Sequence, residues 1–256
     1  MRKDAQAVLL LLVGGTLLKI SFTGTYVRYV KPGLLPLLIG AGFVLLAVSA
    51  VTLWQFLRRP LRVLITGGGA HAMAGGGPAS GDEEADADPH DRPRVGWLLL
   101  APALALLLFA PPALGSYQAS RNGTALGSQA GSDFAPLPAG DPVEITLLDY
   151  AARAVFDEGR SLAGRRITLS GFVLAGPGGQ PYLARLVVAC CAADARPIKI
   201  GLAGAVPADL VPDQWIEVQG TFTARTDRDP VNRAVIPYID VATTRVLPEP
   251  GRPYET

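Results

Sequence analysis

Three apolar blocks crowd the first half of the chain, at roughly 6–23, 34–56 and 95–112. Nothing comparable follows them. A bilayer core of about 30 Å takes about 20 apolar residues as helix, so the blocks limit the fold to a membrane part followed by something exported or retained. The expected organisation is two transmembrane helices over 1–57, a flexible cytoplasmic loop over 58–94 and a third transmembrane helix over 95–114. A linker over 115–141 and an extracytoplasmic β domain over 142–256 complete it.

The first block follows Arg2 and Lys3, as a secretory signal would. No small-x-small cleavage site follows at a convincing distance and a second apolar block comes soon after, so a retained helix is expected, with Lys19 snorkelling near its far end. Tyr26-Val-Arg-Tyr-Val-Lys-Pro32 reads as an interfacial connection. The second block closes on Trp54 and Arg58-Arg59, an aromatic anchor followed by positive charge. The third is opened by Arg92, Arg94 and Trp97 and ended by Pro111-Pro112. Arg2, Lys3, Arg58, Arg59, Arg62, Arg92 and Arg94 fall on one side of these blocks, and Lys19, Arg28, Lys31 and Arg121 on the other. Seven against four favours a cytoplasmic N-terminus and a multi-pass protein of the bacterial cell membrane with its C-terminal domain outside.

Between the second and third blocks, Gly67-Gly-Gly, Gly75-Gly-Gly and the acidic run from Asp82 to Asp88 have no apolar periodicity and cannot bury a core. With His71 and His90 this loop could hold a metal weakly, but a solvated linker is the default, because ordering such a chain costs entropy. The formal net charge is +1, which gives no basic footprint for a nucleic acid. Two cysteines and two histidines exclude a disulfide scaffold and zinc-finger spacing.

The second half reads as one short helix over 145–156 and five strands, at 166–173, 182–189, 197–202, 215–222 and 235–246. Pro237 marks an edge or a bulge. Five short strands with glycines inside two of them suggest a small closed or half-closed β-barrel, OB-like, a fold that carries no function by itself.

Both cysteines of the chain, Cys190 and Cys191, close an apolar run. In a regular strand they would face opposite ways. To act together they need the backbone to leave the strand, and Ala192-Ala-Asp194 before Pro197 makes a turn there. Two functional readings follow. Cys190, Cys191 and Asp194 could hold a metal, zinc or copper(I), or the pair could form a strained, easily reduced vicinal disulfide. The plain alternative is packing. Arg185 could pair with Asp194 or face a ligand, an outward edge position being the default. Tyr182, Trp215 and Tyr238 could line a saccharide site but are read first as core, and Thr226-Asp-Arg-Asp229 as a solvated hairpin turn. No histidine lies beyond the inner loop, so a Cys-His nucleophile is excluded within this chain and no enzyme is expected.

Arg185-Leu-Val-Val-Ala-Cys-Cys-Ala-Ala-Asp-Ala195, with Gly171-Phe-Val173 before it and Trp215-Ile-Glu-Val-Gln-Gly220 after it, resembles the YcgQ-like family of bacterial membrane proteins. Tyr29-Val-Lys-Pro32 matches as well, as does a hydrophilic loop before the last helix. The resemblance implies an accessory subunit paired with a multi-helix permease, for a metal or another small solute. Relatives often carry a histidine-rich inner loop, which His71 and His90 hardly reproduce. A membrane-anchored thiol-redox or metal-sensing protein, or an extracytoplasmic ligand-binding module, is the alternative.

Overall fold

The structure, a computed structural model, describes residues 3–66, 104–105, 108, 112–126 and 134–255. The chain divides into two compact units: residues 1–23 with 36–111, and residues 24–35 with 112–256. The inner loop with His71 and His90, and most of the third apolar block, lie outside the described residues.

In the first unit, α1 (Lys3–Phe22) and α2 (Leu35–Thr66) pair through small residues. A Cβ on Gly42 would meet the Leu18 side chain at 2.8 Å, and one on Gly14 would meet the Gly42 carbonyl at 3.1 Å. Farther along, the buried Ser49 hydroxyl donates to the Ala7 carbonyl at 2.8 Å. Close approach over glycine and a hydroxyl bond between helices is how helices associate where water cannot drive them together. The far side of α2 leaves Leu37, Phe43, Val44, Val51 and Trp54 exposed. The Arg58 guanidinium lies 4.3 Å from the Trp54 ring centroid, a cation–aromatic contact.

Among the described residues, one helix, over Pro32–Gln55, is long and apolar enough to cross a membrane. At 24 residues it measures about 36 Å. The helix over Gln6–Phe22 is apolar but shorter. Three membrane helices are therefore not what the described residues present. α2 also runs on through Pro60 to Thr66, beyond the point where the sequence reading starts a loop.

The second unit holds a mixed sheet of seven strands. They are β1 (Val143–Glu144), β2 (Ile167–Ala175), β3 (Pro181–Val187), β4 (Arg196–Gly204), β5 (Trp215–Arg228), β6 (Val235–Val246) and β7 (Tyr254–Glu255). The order is β1-β2-β5-β6-β4-β3-β7, with an additional β2–β3 pairing. Most pairs are antiparallel; β4 runs parallel to β6, β1 to β2, and β3 to β7. Gly171 sits where β2 turns from β5 toward β3, and a Cβ there would lie 2.6 Å from the Ala184 carbonyl. β5 shifts register against β6 between Thr223 and Thr226, and Thr226 pairs with Pro237. The proline thus stands at a bulge, where a missing N–H costs little.

Strands β2 and β3 are buried on both faces. Leu169, Val173 and Leu183 join a core with Ile198, Ile200 and Leu202 of β4 and the apolar face of α4 (Leu147–Phe156). The alternate residues Phe172, Leu174, Tyr182, Ala184 and Leu186 form a second core with Tyr238 and Tyr254. A strand alternates its side chains, so continuous apolar sequence needs a second cover. The supposed linker provides it. Its α3 (Ser116–Arg121) buries Ala119, and Ala113 and Leu114, expected from sequence at the end of the third transmembrane helix, also pack on the second core and are not helical.

Residues 122–126 are also fixed. Lys199 donates its ammonium to the Asn122 carbonyl at 2.8 Å and pairs with Asp229 at 2.9 Å, while the Thr124 amide donates to Asp229. Asp229 is fully buried, and Asp227 accepts the Tyr182 hydroxyl at 2.9 Å. Thr226 to Arg228 are thus strand rather than turn, with Thr226 and Arg228 exposed, and Asp229 is buried rather than solvated. Burial pushes the Asp229 carboxyl up, but Lys199 and the Val231 and Thr124 amides outweigh this and hold it below its ordinary range.

α4 begins where Thr146 accepts the Asp149 amide. Glu255 of β7 reaches the same end, accepting the Leu147 and Leu148 amides at 2.8 and 3.1 Å. A carboxylate there meets the unpaired N–H groups of a helix start.

Candidate metal centre

β3 stops at Val187, two residues short of the strand expected from sequence. The reason is Asp194. Its Oδ1 accepts the Ala189 amide at 2.9 Å, and its Oδ2 accepts the Cys190 and Cys191 amides at 2.8 and 3.4 Å. Cys191 opens a short 3-10 turn, Ala192–Asp194, and its sulfur accepts the Asp194 amide in return. A side chain three residues ahead has captured the donors a strand would have needed.

The turn brings the sulfurs to one side. Cys190 Sγ and Cys191 Sγ are 3.7 Å apart as free thiols. With a carboxylate oxygen of Asp194 they form a group whose atoms all lie within 4.8 Å of one another. Cys190 is exposed, and Cys191 and Asp194 are half-buried. Zinc binds thiolate at about 2.3 Å, so two sulfurs on one tetrahedral zinc stand about 3.8 Å apart. The observed spacing already matches that edge.

The electrostatics favour a held proton. Hydrogen bonding to Asp194, then to Cys191, pushes the Cys190 thiol up to about 11. Asp194 is held down to about 2, first by the Cys190 thiol and then by the Ala189 and Cys190 amides. Reactive cysteines have lowered pKa values. The shift on Cys190 runs the other way, toward the protonated thiol. A metal ion could displace that proton directly.

A further part of the site comes from the segment between α1 and α2. Val30 pairs with Cys191 as an antiparallel bridge. The Lys31 amide donates to the Cys190 carbonyl at 3.0 Å, and the Ala192 amide donates to the Tyr29 carbonyl at 2.7 Å. Tyr26 to Pro32 reads from sequence as an interfacial belt, and its polarity carries no sign of this pairing.

Arg185 does not join the site or meet Asp194. Its guanidinium donates to the Arg252 carbonyl at 2.9 Å, the Pro253 carbonyl at 3.3 Å and Ser170 Oγ at 3.1 Å, and stacks on Trp215 at 5.5 Å. It fastens the C-terminal segment. Tyr182 and Tyr238 are core residues. Trp215 alone of the three aromatics lines an open groove, of about 520 Å³, with Tyr117, Phe172, Asp213 and Glu249.

A helix long and apolar enough to cross a membrane and a β domain that displays a dithiol beside a carboxylate are the features that define this chain. Residues 149–255 match the family model described as the DUF1980 C-terminal domain. That span contains the whole cysteine turn and Glu255. No curated protein and no solved structure matches the chain.

Proposed function

We propose that this chain is a non-enzymatic accessory subunit of a membrane permease and that it binds a soft or borderline metal ion, zinc or copper(I), at Cys190, Cys191 and Asp194. The sulfur spacing carries the reading: 3.7 Å fits two ligands of one ion, whereas a disulfide needs about 2.05 Å. Three protein ligands at a surface leave a coordination position open, as suits an ion that is passed on rather than kept. The raised Cys190 pKa weighs against the thiol-redox alternative. The family match over residues 149–255 accords with the YcgQ-like resemblance, which implies a permease partner. α1 and α2 supply little that could line a pathway themselves, since polar stripes mark transport routes.

The topology belongs to the same proposal. Residues 24–35 pack in one unit with residues 112–256, which supports a topology with both on one face of the membrane. If α2 crosses, the chain must cross again before residue 112, and the third apolar block is the segment able to do so. With the N-terminus inside and α1 also crossing, the domain is extracytoplasmic. In the same proposal the pairings β2–β3, β3–β4, β4–β6, β6–β5 and β5–β2 are read as a five-stranded OB-like barrel. The Trp215 groove favours a second reading, a module that binds an extracytoplasmic ligand on its aromatic floor.

Uptake of labelled zinc and copper in cells separates these readings. Cys190→Ser and Cys191→Ser, at equal membrane abundance, should each reduce uptake of one of the two metals severalfold. Unchanged uptake of both metals would remove the site from transport.

A further inference from the structure

We infer that Tyr29–Lys31 is a positioning segment of the cysteine site, a strap that holds the two sulfurs at metal-binding spacing and opposes their closure into a disulfide. The inference rests on the metal reading of the same residues. With β3 finished at Val187, the backbone from Cys190 to Ala192 takes its strand-like partner from the strap. The peptide between the cysteines is gripped at both ends. Its carbonyl accepts the Lys31 amide at 3.0 Å, and its N–H points to Asp194 Oδ2 at 3.4 Å. The next amide, of Ala192, is held by the Tyr29 carbonyl at 2.7 Å.

A vicinal disulfide closes an eight-membered ring through that peptide and draws the sulfurs in by about 1.6 Å. Both movements strain against the strap. The strap is itself anchored away from the sulfurs. The Tyr254 hydroxyl donates to the Arg28 carbonyl at 3.0 Å, and Arg28 pairs with Glu249 at 3.5 Å. Val27, Val30 and Pro32 close over Val188 and Tyr254, leaving a cavity of about 40 Å³.

Lys31 has φ −56° and ψ 136°, angles proline adopts without strain. Lys31→Pro therefore deletes the donor to Cys190 and little else, and Lys31→Ala keeps that donor while removing the side chain. The full chain in detergent, stripped of metal, is treated with a diazene oxidant. Two thiols surrender two protons and two electrons, the diazene becomes the hydrazine, and the chain loses about 2 Da. Lys31→Pro should oxidise about fivefold faster than wild type, the equivalent of one peptide hydrogen bond, and Lys31→Ala at the wild-type rate. Equal rates in all three would overturn the strap.

Amide exchange of unaltered Ala192 gives a check that needs no variant: slow exchange is expected, and exchange at the free-peptide rate would also overturn it. Zinc titration of the same preparations keeps the two ideas apart. A wild type that takes no zinc while Lys31→Pro oxidises faster would sink the metal reading and leave the strap. A wild type that binds zinc, with Lys31→Pro unchanged in rate, would do the reverse.

Discussion

Asp194 does three things with one carboxylate. It ends β3, gathers three successive amides and keeps the proton on Cys190. Because its pKa is lowered to about 2, its contribution to the turn is complete at neutral pH and is lost as pH falls from about 4 toward 2. Cys190 has the opposite sign. Raised to about 11, it contributes fully below its ordinary 9.0 and loses that contribution as pH climbs through 11. Metal binding must release the same proton, so affinity should fall by up to about tenfold per pH unit on acidification for each thiol proton displaced. Asp194→Asn should move the pH profile of Cys190 alkylation down toward 9.0. An unmoved profile would mean that Asp194 does not hold the proton.

Among the elements, the strands were the most legible from sequence. Alternation and β-branched residues locate β2 to β6 to within a few residues at most ends, and β5, which runs to Arg228, is the main exception. What alternation does not reveal is a cover supplied from elsewhere in the chain. Ala119 sits in a Gly/Ser/Ala-rich stretch that looks like a spacer, and Ala113 and Leu114 at the end of an apolar block that looks like a membrane helix, yet together they close the second core. β1 and β7 have two residues each, too short for any periodicity. The turn at Cys190 was foreseeable from Asp194 and Pro197, but its backbone partner at Val30 was not, because nothing local in Tyr29-Val-Lys-Pro32 distinguishes a strap from a membrane-interface belt.

Lys199 and Asp229 were equally hidden, lying in separate strands and hairpins and meeting only on folding. With side chains 4% and 0% exposed, they form a pair whose breaking strands a buried charge. Lys199→Met alone should therefore cost about 3–5 kcal/mol, read by denaturant unfolding. A loss near zero would show that Asp229 finds another partner or protonates without penalty.

For the whole molecule, covalent order and packing act together. The connection after α1 packs in one unit with the far C-terminal half, and its Tyr29 and Lys31 share backbone hydrogen bonds with the cysteine turn. Under the proposed topology, residues 24–35 and 112–256 share one membrane face. Alkaline phosphatase fused within 24–35 or after Thr256 should be active, and a fusion after Thr66 inactive. Activity at Thr66 together with silence at the C-terminus would reverse the orientation.

The most direct test is the metal content of the intact chain, purified in detergent and equilibrated with zinc at neutral pH, beside Cys190→Ser, Cys191→Ser and Asp194→Asn. One zinc per chain is expected in the wild type, lost in both cysteine variants and weakened in Asp194→Asn. A wild-type chain that stays free of zinc and of copper(I), with both thiols open to alkylation, would contradict the metal site and return the pair to packing.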